Sequence, residues 1–316
     1  MDAPIKFAKL SGSGNDFVCI DNRDGRFDEL LADSDGPGRS TSAAGAFAAA
    51  LCRRGIAVGA DGVIFATKPE IEGVSHVAAR FFEPDGSETY LCGNGTACFI
   101  YWAVANGLVG EGEVKVLTPV GVVRGYPADG DYVRVCIPDP EDMQTDLELA
   151  AGGRTWKCDF AVTGVPHVIT YVDAIDEVNV ARDGKALRDH ERFAPLGANA
   201  NFVQVLGEGQ IALRTFEYGI EAETLACGTG SSAAAIMTAQ RLDWPKKYLS
   251  GEAPISVRAN SGDVLKVWFT LNDDRSITDV CVETVVRYVF DAALHNDLAG
   301  GLLRRTSAQA AANRQQ

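Results

Sequence analysis

Histidine is scarce in this chain, and no two cysteines stand in a CxxC pair. Four histidines (76, 167, 190, 295) and eight cysteines (19, 52, 92, 98, 136, 158, 227, 281) are scattered singly along 316 residues. That spacing disfavours a zinc cluster, so no metal site is expected. No apolar run approaches the roughly 20 residues needed to span a bilayer, so no membrane partner is expected. The opening MDAPIKFAKLSGSGNDF has no basic segment leading into an apolar one, as a secretory signal would. A cytoplasmic protein with all its thiols reduced is the expectation. Positive charge is also in short supply. Lys plus Arg is 29 against 43 Asp plus Glu, a formal net charge of -14. An acidic surface repels phosphate backbones, which argues against nucleic-acid binding.

What is present is ordinary for a globular protein. Hydrophobic residues make up 46% and charged residues 23%, and the length suits two domains. Strand patterns and Gly-rich turns alternate with two helices of small residues. IKFAKL and FVCID flank the turn SGSGND, GVIFATK and VAARFFE follow, and WKCDFAV, LRTFEYG, DVLKVWF and VCVETVVRYVF read as later strands. AGAFAAALCRRG reads as a helix stopped at Gly55. Residues 31–44, rich in Gly, Ser and Asp, read as a surface loop. Residues 301–316 read as a frayed polar tail.

One internal echo carries the chemistry. LCGNGTAC at 91–98 and ACGTGSSA at 226–233 share one design, in which a cysteine leads a Gly-x-Gly turn and a small-residue helix follows. A lone cysteine is usually a buried hydrophobe, and a lone Gly-x-Gly is usually a tight turn. Two matched copies, one in each half, ask for another explanation. A helix N-terminus offers unpaired N–H groups and a positive dipole end. It lowers a thiol pKa and receives a carboxylate. Inverting a Cα centre needs a base on one face of the carbon and an acid on the other. Cys92 and Cys227 supply such a pair. Donors on the substrate carboxylate stabilise the charge that builds as the proton leaves. The other polar candidates have plainer readings. His167 in TGVPHV is a general base, a core residue or a surface residue. Glu217 is a strand-end carboxylate, and Asp61, Asp85 and Asn15 are turn formers or, for Asn15, a substrate ligand.

KLSGSGNDF, VGADGV, DGSETYLCGNGTAC, TGVPHV and TLACGTGSSAAA occur in the order seen in diaminopimelate epimerases, and the chain resembles that family from about residue 5 to about 290. The resemblance implies an α+β fold of two pseudo-symmetric domains, each a curved, mostly antiparallel sheet wrapped around a central helix. The domains would be 1–136 plus 280–300, bearing Cys92, and 137–279, bearing Cys227. It implies that Cys92 and Cys227 are the acid/base pair, with His167 and Glu217 as further catalytic residues. Asn15 and Asn199 match polar positions of the family's active site. Gly93, Asn94, Gly228 and Thr229 match the turns that hold the reacting carboxylate. The family uses neither pyridoxal phosphate nor metal, takes a small amino-acid substrate and is commonly homodimeric, so no cofactor and a homodimer are expected here.

The departures from the family pattern cluster at one end of the substrate. Where members read FNADGS, CGNGARC, GNPH and ERG, this chain places Glu83, Ala97, Val165 and Tyr218. In the family, the Asn, Asn and Arg matched by Glu83, Val165 and Tyr218 help bind the distal amino-acid end of diaminopimelate. Losing a charged partner of a buried carboxylate costs about 2–5 kcal/mol, and a carboxylate at position 83 would repel the distal one. The expectation is a racemase or epimerase for another amino acid, with Glu83 suiting a basic side chain. The alternative is a conventional diaminopimelate epimerase in which Arg80 or Arg214 restores the missing contact. A non-inverting isomerase of the phenazine-biosynthesis type, which lacks the cysteine pair, and a non-catalytic homologue are the remaining readings. A cysteine hydrolase would need only one of the thiols.

Overall fold

A computed structural model of the chain describes residues 4–32, 42–69, 73–89, 92–119, 121–298 and 301. The order of elements is β1 (Lys6–Gly12), β2 (Asn15–Asp21), α1 (Asp28–Ala32), α2 (Ala43–Cys52), β3 (Gly62–Thr67), β4 (Val77–Phe82), β5 (Glu88–Thr89), α3 (Gly93–Ala105), β6 (Val114–Thr118) and β7 (Gly121–Pro127). Then follow β8 (Tyr132–Cys136), β9 (Glu141–Ala151), β10 (Arg154–Val162), β11 (Pro166–Tyr171), α4 (Lys185–Arg188), β12 (Asn199–Gly207), β13 (Gln210–Glu217), β14 (Ala222–Thr224), α5 (Gly228–Arg241), α6 (Lys246–Leu249), β15 (Ile255–Arg258), β16 (Val264–Leu271) and β17 (Ile277–Ala293). The fold is α+β. The chain forms two compact units, Met1–Val133 with Val286–Gln316, and Arg134–Val285.

In the first unit β1 pairs antiparallel with both β17 and β2. β2–β3 is parallel, β3–β4 antiparallel, β4–β6 parallel and β6–β7 antiparallel, and β5 returns against the end of β4. The second unit repeats this pattern. β10 pairs antiparallel with β9 and β11, β11–β12 is parallel, β12–β13 antiparallel, β13–β15 parallel, β15–β16 antiparallel, and β14 returns against β13. α3 lies against β1, β2, β3, β4, β6 and β7, and α5 against β10–β13, β15 and β16. Each sheet therefore wraps its own helix. A helix enclosed on nearly every side needs small, apolar residues all round rather than an amphipathic stripe. Ala233, Ala234 and Ala235 in α5 and Ala97, Cys98 and Phe99 in α3 are all buried.

The outer face of each sheet has a second core. In the first unit, Phe27, Phe47, Phe65 and Phe82 pack with α1 and α2. In the second, Trp156, Phe202 and Phe216 pack with Val180 and Leu187. Truncating such a ring to Ala typically costs about 3–5 kcal/mol.

Three expectations are corrected. Leu31 and Ala32 close α1, and Ala43 and Ala44 open α2 behind the Ser42 cap, whose Oγ accepts from Gly45 N–H at 2.9 Å. The expected loop at 31–44 is thus helical at both ends, and 33–41 lie outside the described residues. α2 stops at Cys52, before Gly55. Cys136 and Cys281 are joined by a disulfide (S–S 2.05 Å), so not every thiol is reduced. β8 and β17 run side by side, with Ile137 N–H bonded to Val280 O at 2.9 Å, which brings the two cysteines together. The expected tail, apart from Gly301, lies outside the described residues. No helix among them is long and apolar enough to cross a membrane.

Candidate active site

The two cysteine motifs fold alike. Cys92 is the N-cap of α3 at φ −126°, ψ 109°, and Cys227 the N-cap of α5 at φ −127°, ψ 111°. Each sulfur accepts from the N–H three residues on, Gly95 and Gly230, at 3.3 Å. A thiol here takes the place that Ser, Thr or Asp usually holds in a cap. The N–H groups of Gly93 and Asn94, and of Gly228 and Thr229, have no intrahelical carbonyl to bond. A carboxylate is the natural acceptor for such a pair.

Packing explains the second glycine of each motif. A Cβ on Gly95 would sit 3.2 Å from both Cys92 Sγ and the Phe81 ring. On Gly230 it would sit 2.5 Å from Asn201 Oδ1 and 3.2 Å from Cys227 Sγ. A Cβ on Gly93 would meet nothing within 4 Å.

The polar surroundings differ. Cys227 is 7% exposed, whereas Cys92 is half-buried. Thr229 Oγ1 lies 3.6 Å from Cys227 Sγ and 3.1 Å from His167 Nε2. His167 Nδ1 faces Asn201 Nδ2 at 3.1 Å, and Thr215 Oγ1 donates to Asn201 Oδ1 at 3.0 Å. The Asn201 amide can only donate to Nδ1 from that side, so the ring proton sits on Nε2 and is given to Thr229. The Thr229 hydroxyl is left to donate to the sulfur.

His167 is fully buried, and burial lowers its pKa to about 3. The neutral ring lies behind Thr229, with its two nitrogens facing Thr229 and Asn201. Glu217 accepts from Thr224 Oγ1 at 2.6 Å and interacts electrostatically with Cys227. Burial raises the Glu217 carboxyl above its usual range. The Cys227 thiol is likewise pushed well up, by burial first and then by the Glu217 charge, against the lowering effect of Thr229 and the Gly230 N–H. The expected thiol-lowering effect of the helix start is therefore present at Cys227 but outweighed by burial.

Around Cys92, Asn94 Nδ2 donates to Asn15 Oδ1 at 2.8 Å, and Asn15 Nδ2 to Asp61 Oδ2 at 3.4 Å. Asp61 also accepts from Asp16 N–H at 3.1 Å and from Arg54 at 2.8 Å. Arg54 bonds Asp16 as well, and Lys9 pairs with Asp16 at 2.6 Å. Burial pushes the Asp16 carboxyl up, but Arg54 and Lys9 outweigh it and hold it below the usual carboxylate range.

The remaining candidates are peripheral to these two clusters or structural. Asn199 opens β12 and is buried, and its Oδ1 accepts from Tyr218 N–H at 2.7 Å. Tyr218 is 49% exposed beneath the Arg188 guanidinium, and Val165 is 41% exposed. Glu83 follows β4, its N–H bonded to Ser87 O at 2.8 Å. Arg80 is bidentate to Glu88 at 2.7 Å and also donates to Leu31 O. Arg214 is bidentate to Glu223 and donates to Ile175 O and Val178 O. Asn201, Thr215 and Thr224 were missed from sequence. A polar residue at 201, inside the apolar run of β12, was the available signal. Among the described residues, no group of three or more His, Cys, Asp or Glu is arranged to hold a metal.

Comparison with known proteins agrees with this geometry. The family model for diaminopimelate epimerase matches residues 7–132 and 160–284. A diaminopimelate epimerase of Aquifex aeolicus is 36% identical over 298 residues, covering 93% of this chain and 99% of the relative. One from a Hydrogenobaculum species is 35% identical, covering 92% and 98%. Among solved structures, a phenazine biosynthesis protein of the PhzF family from Bacillus anthracis matches with a TM-score of 0.68 at 17% identity, covering 93% of this chain and all of that one. A hydroxyproline epimerase from Agrobacterium vitis matches with a TM-score of 0.67 at 14% identity, covering 92% and 90%. A sheet-wrapped helix capped by a thiol, occurring twice in a chain with these relatives, defines an isomerase of the racemase and epimerase class. The chain belongs to the diaminopimelate epimerase family.

Proposed function

We propose that the protein inverts the Cα centre of a free amino acid by a two-thiol mechanism without a cofactor, and that its substrate carries a side chain other than that of diaminopimelate. The matched caps at Cys92 and Cys227 carry the first half of the reading. One thiol removes the Cα proton as thiolate, and the other, as thiol, delivers a proton to the opposite face. The N–H groups of Gly93, Asn94, Gly228 and Thr229, which have no intrahelical acceptor, are suited to the substrate carboxylate. His167 and Glu217 set the polarity around Cys227, and Asn15 and Asn199 hold the turns in place.

The second half rests on arginine. Diaminopimelate has a distal carboxylate, and the family's Arg at the position of Tyr218 is missing. Arg80 and Arg214 were the candidates the sequence offered to replace it, and each is bidentate to a glutamate and bonded to backbone carbonyl oxygen; Arg188, whose guanidinium lies over the Tyr218 ring, is bonded to Glu221 and to Leu196 O. Freeing Arg80 would break the ion pair of a glutamate whose side chain is 2% exposed, at a cost of several kcal/mol, whereas the Glu223 pair is partly exposed and weaker. Basic amino acids head the substrates to be tried because Glu83 adds negative charge. The names of the Aquifex and Hydrogenobaculum relatives favour the other reading, a conventional diaminopimelate epimerase.

Chiral chromatography after incubation with LL-diaminopimelate and the common L-amino acids, under reducing conditions, separates the two. Inversion of a basic or other common amino acid with diaminopimelate untouched is the expected result. Inversion of diaminopimelate alone would refute the substrate assignment and leave the two-thiol chemistry standing.

A further inference from the structure

The internal repeat extends further than the cysteine motifs. Arg80, Phe82, Glu83, Glu88, Thr89 and Cys92 in the first unit recur as Arg214, Phe216, Glu217, Glu223, Thr224 and Cys227 in the second. The pairing fixes this alignment. Phe82 pairs with Glu88 and Phe81 with Thr89, as Phe216 pairs with Glu223 and Thr215 with Thr224. The arginine–glutamate bridge is repeated, at 2.7 Å and 2.6 Å. Burial follows the same sequence. Arg80 and Arg214 are half-buried, the next two residues of each strand are buried, and Glu83 and Glu217 are half-buried again. Glu83 therefore occupies in the first unit the place that Glu217 occupies beside Cys227.

We infer that Glu83 is the carboxylate partner of Cys92, a positioning residue that holds the proton on that thiol as Glu217 does for Cys227. The Glu83 carboxylate acts electrostatically on Cys52 of α2, as Lys9, Asp61 and Asp16 do. Cys98, one turn into α3, feels both Cys92 and Asp16. The charged groups that reach these neighbouring thiols are Glu83 just after β4, Lys9 from β1, Asp16 from β2 and Asp61 from the segment before β3. Lys9, Arg54, Asp16 and Asp61 are bonded to one another. A carboxylate beside a thiol opposes thiolate formation, which suits a thiol while it acts as the acid, a part that each thiol takes for one of the two enantiomers. This role differs from a contact with a cationic substrate side chain. It rests on the two-thiol reading but not on which amino acid is turned over.

The test needs no substrate. Residue-resolved alkylation of Cys92 by iodoacetamide, followed across pH by mass spectrometry, gives the thiol's apparent pKa. Glu83→Gln is expected to move the Cys92 midpoint down by about one pH unit or more. The Cys227 profile should stay in place, which also reports that the variant is folded. Glu83→Asp, which keeps the charge, should restore most of the wild-type midpoint. Glu217→Gln should produce the mirror result, moving Cys227 and not Cys92. A Cys92 midpoint unchanged in Glu83→Gln, with Glu217→Gln shifting Cys227 as expected, would overturn the assignment. Because alkylation is independent of turnover, that outcome would leave the proposed function untouched.

Discussion

The two units use one backbone frame and two different polar shells. Cys92 and Cys227 have nearly the same cap dihedrals and the same 3.3 Å bond to the third N–H. Beyond the sulfur they diverge. Cys227 is buried against Thr229, His167 and Glu217, whereas Cys92 is half-buried beside an Asn94–Asn15–Asp61 chain that ends in bonded charges. The frame is what a repeated chemical step requires, namely a thiol at a helix start that can also receive a carboxylate. The shell is where each thiol's proton affinity is set, by burial and by neighbours, so a racemase can make its two thiols unequal without moving either backbone.

The largest effect that would test this comparison is loss of a thiol. Cys92→Ser and Cys227→Ser should each lower inversion by roughly 10²–10⁴-fold, the range of a positioned acid or base, as read by polarimetry on the substrate found. A loss confined to one variant would show that the shared frame has only one working copy.

The next contrast is between the two arginine bridges. The Glu88 side chain is 2% exposed and the Glu223 side chain 22%. Glu88→Ala leaves Arg80 with one backbone partner, whereas Glu223→Ala leaves Arg214 with two. Urea denaturation should show a loss of about 3 kcal/mol for the first and about 1 kcal/mol for the second.

Smaller again is the glycine pair. Gly230→Ala drives a Cβ to 2.5 Å from Asn201 Oδ1, where Gly95→Ala meets Cys92 Sγ and the Phe81 ring at 3.2 Å. Overpacking of this kind costs about 1–3 kcal/mol, and the upper end belongs to Gly230. Thermal melts of the two variants, side by side with Gly93→Ala in its open space, give the ranking.

A pH slope carried by His167 tests the shell around Cys227 in another way. Its folded pKa of about 3 lies below the ordinary 6.5, so between those values the unfolded chain binds the extra proton. Stability contributed by the neutral ring is full above pH 6.5 and falls as pH drops toward 3, by at most about 1.4 kcal/mol per pH unit. His167→Gln should flatten that part of the profile in urea midpoints taken at pH 4.5 and 7. An unchanged slope would mean that His167 is protonated in the folded state.

Much of this was legible from sequence because local signals and long-range structure agree. Two Cys-Gly-x-Gly runs ahead of small-residue helices announced both caps, and alternating strands with Gly-rich turns announced the sheets. β9 escaped notice because its residues are largely exposed and acidic, as an edge strand's are. Asp142 and Asp146 take positive φ of 46° and 58° in it, and its pairing with β10 shifts register twice along their length. The Arg-x-Phe-Glu echo was hidden by unequal turns, since Glu83 and Glu88 stand one residue closer than Glu217 and Glu223. The raised pKa of Cys227 and the neutral state of His167 could not be read along the chain. Both follow from burial by residues distant in sequence, and burial reverses the sign that a helix start alone would give.

The central claim is that both thiols serve one carbon. Cα hydrogen-to-deuterium exchange in D₂O, followed by NMR on the L and the D form of the substrate, tests it most directly in wild type, Cys92→Ser and Cys227→Ser. The account predicts exchange of both forms in wild type, with deuterium arriving as configuration inverts. Each serine variant should lose inversion. A variant that keeps inverting at the wild-type rate with one thiol gone would contradict it.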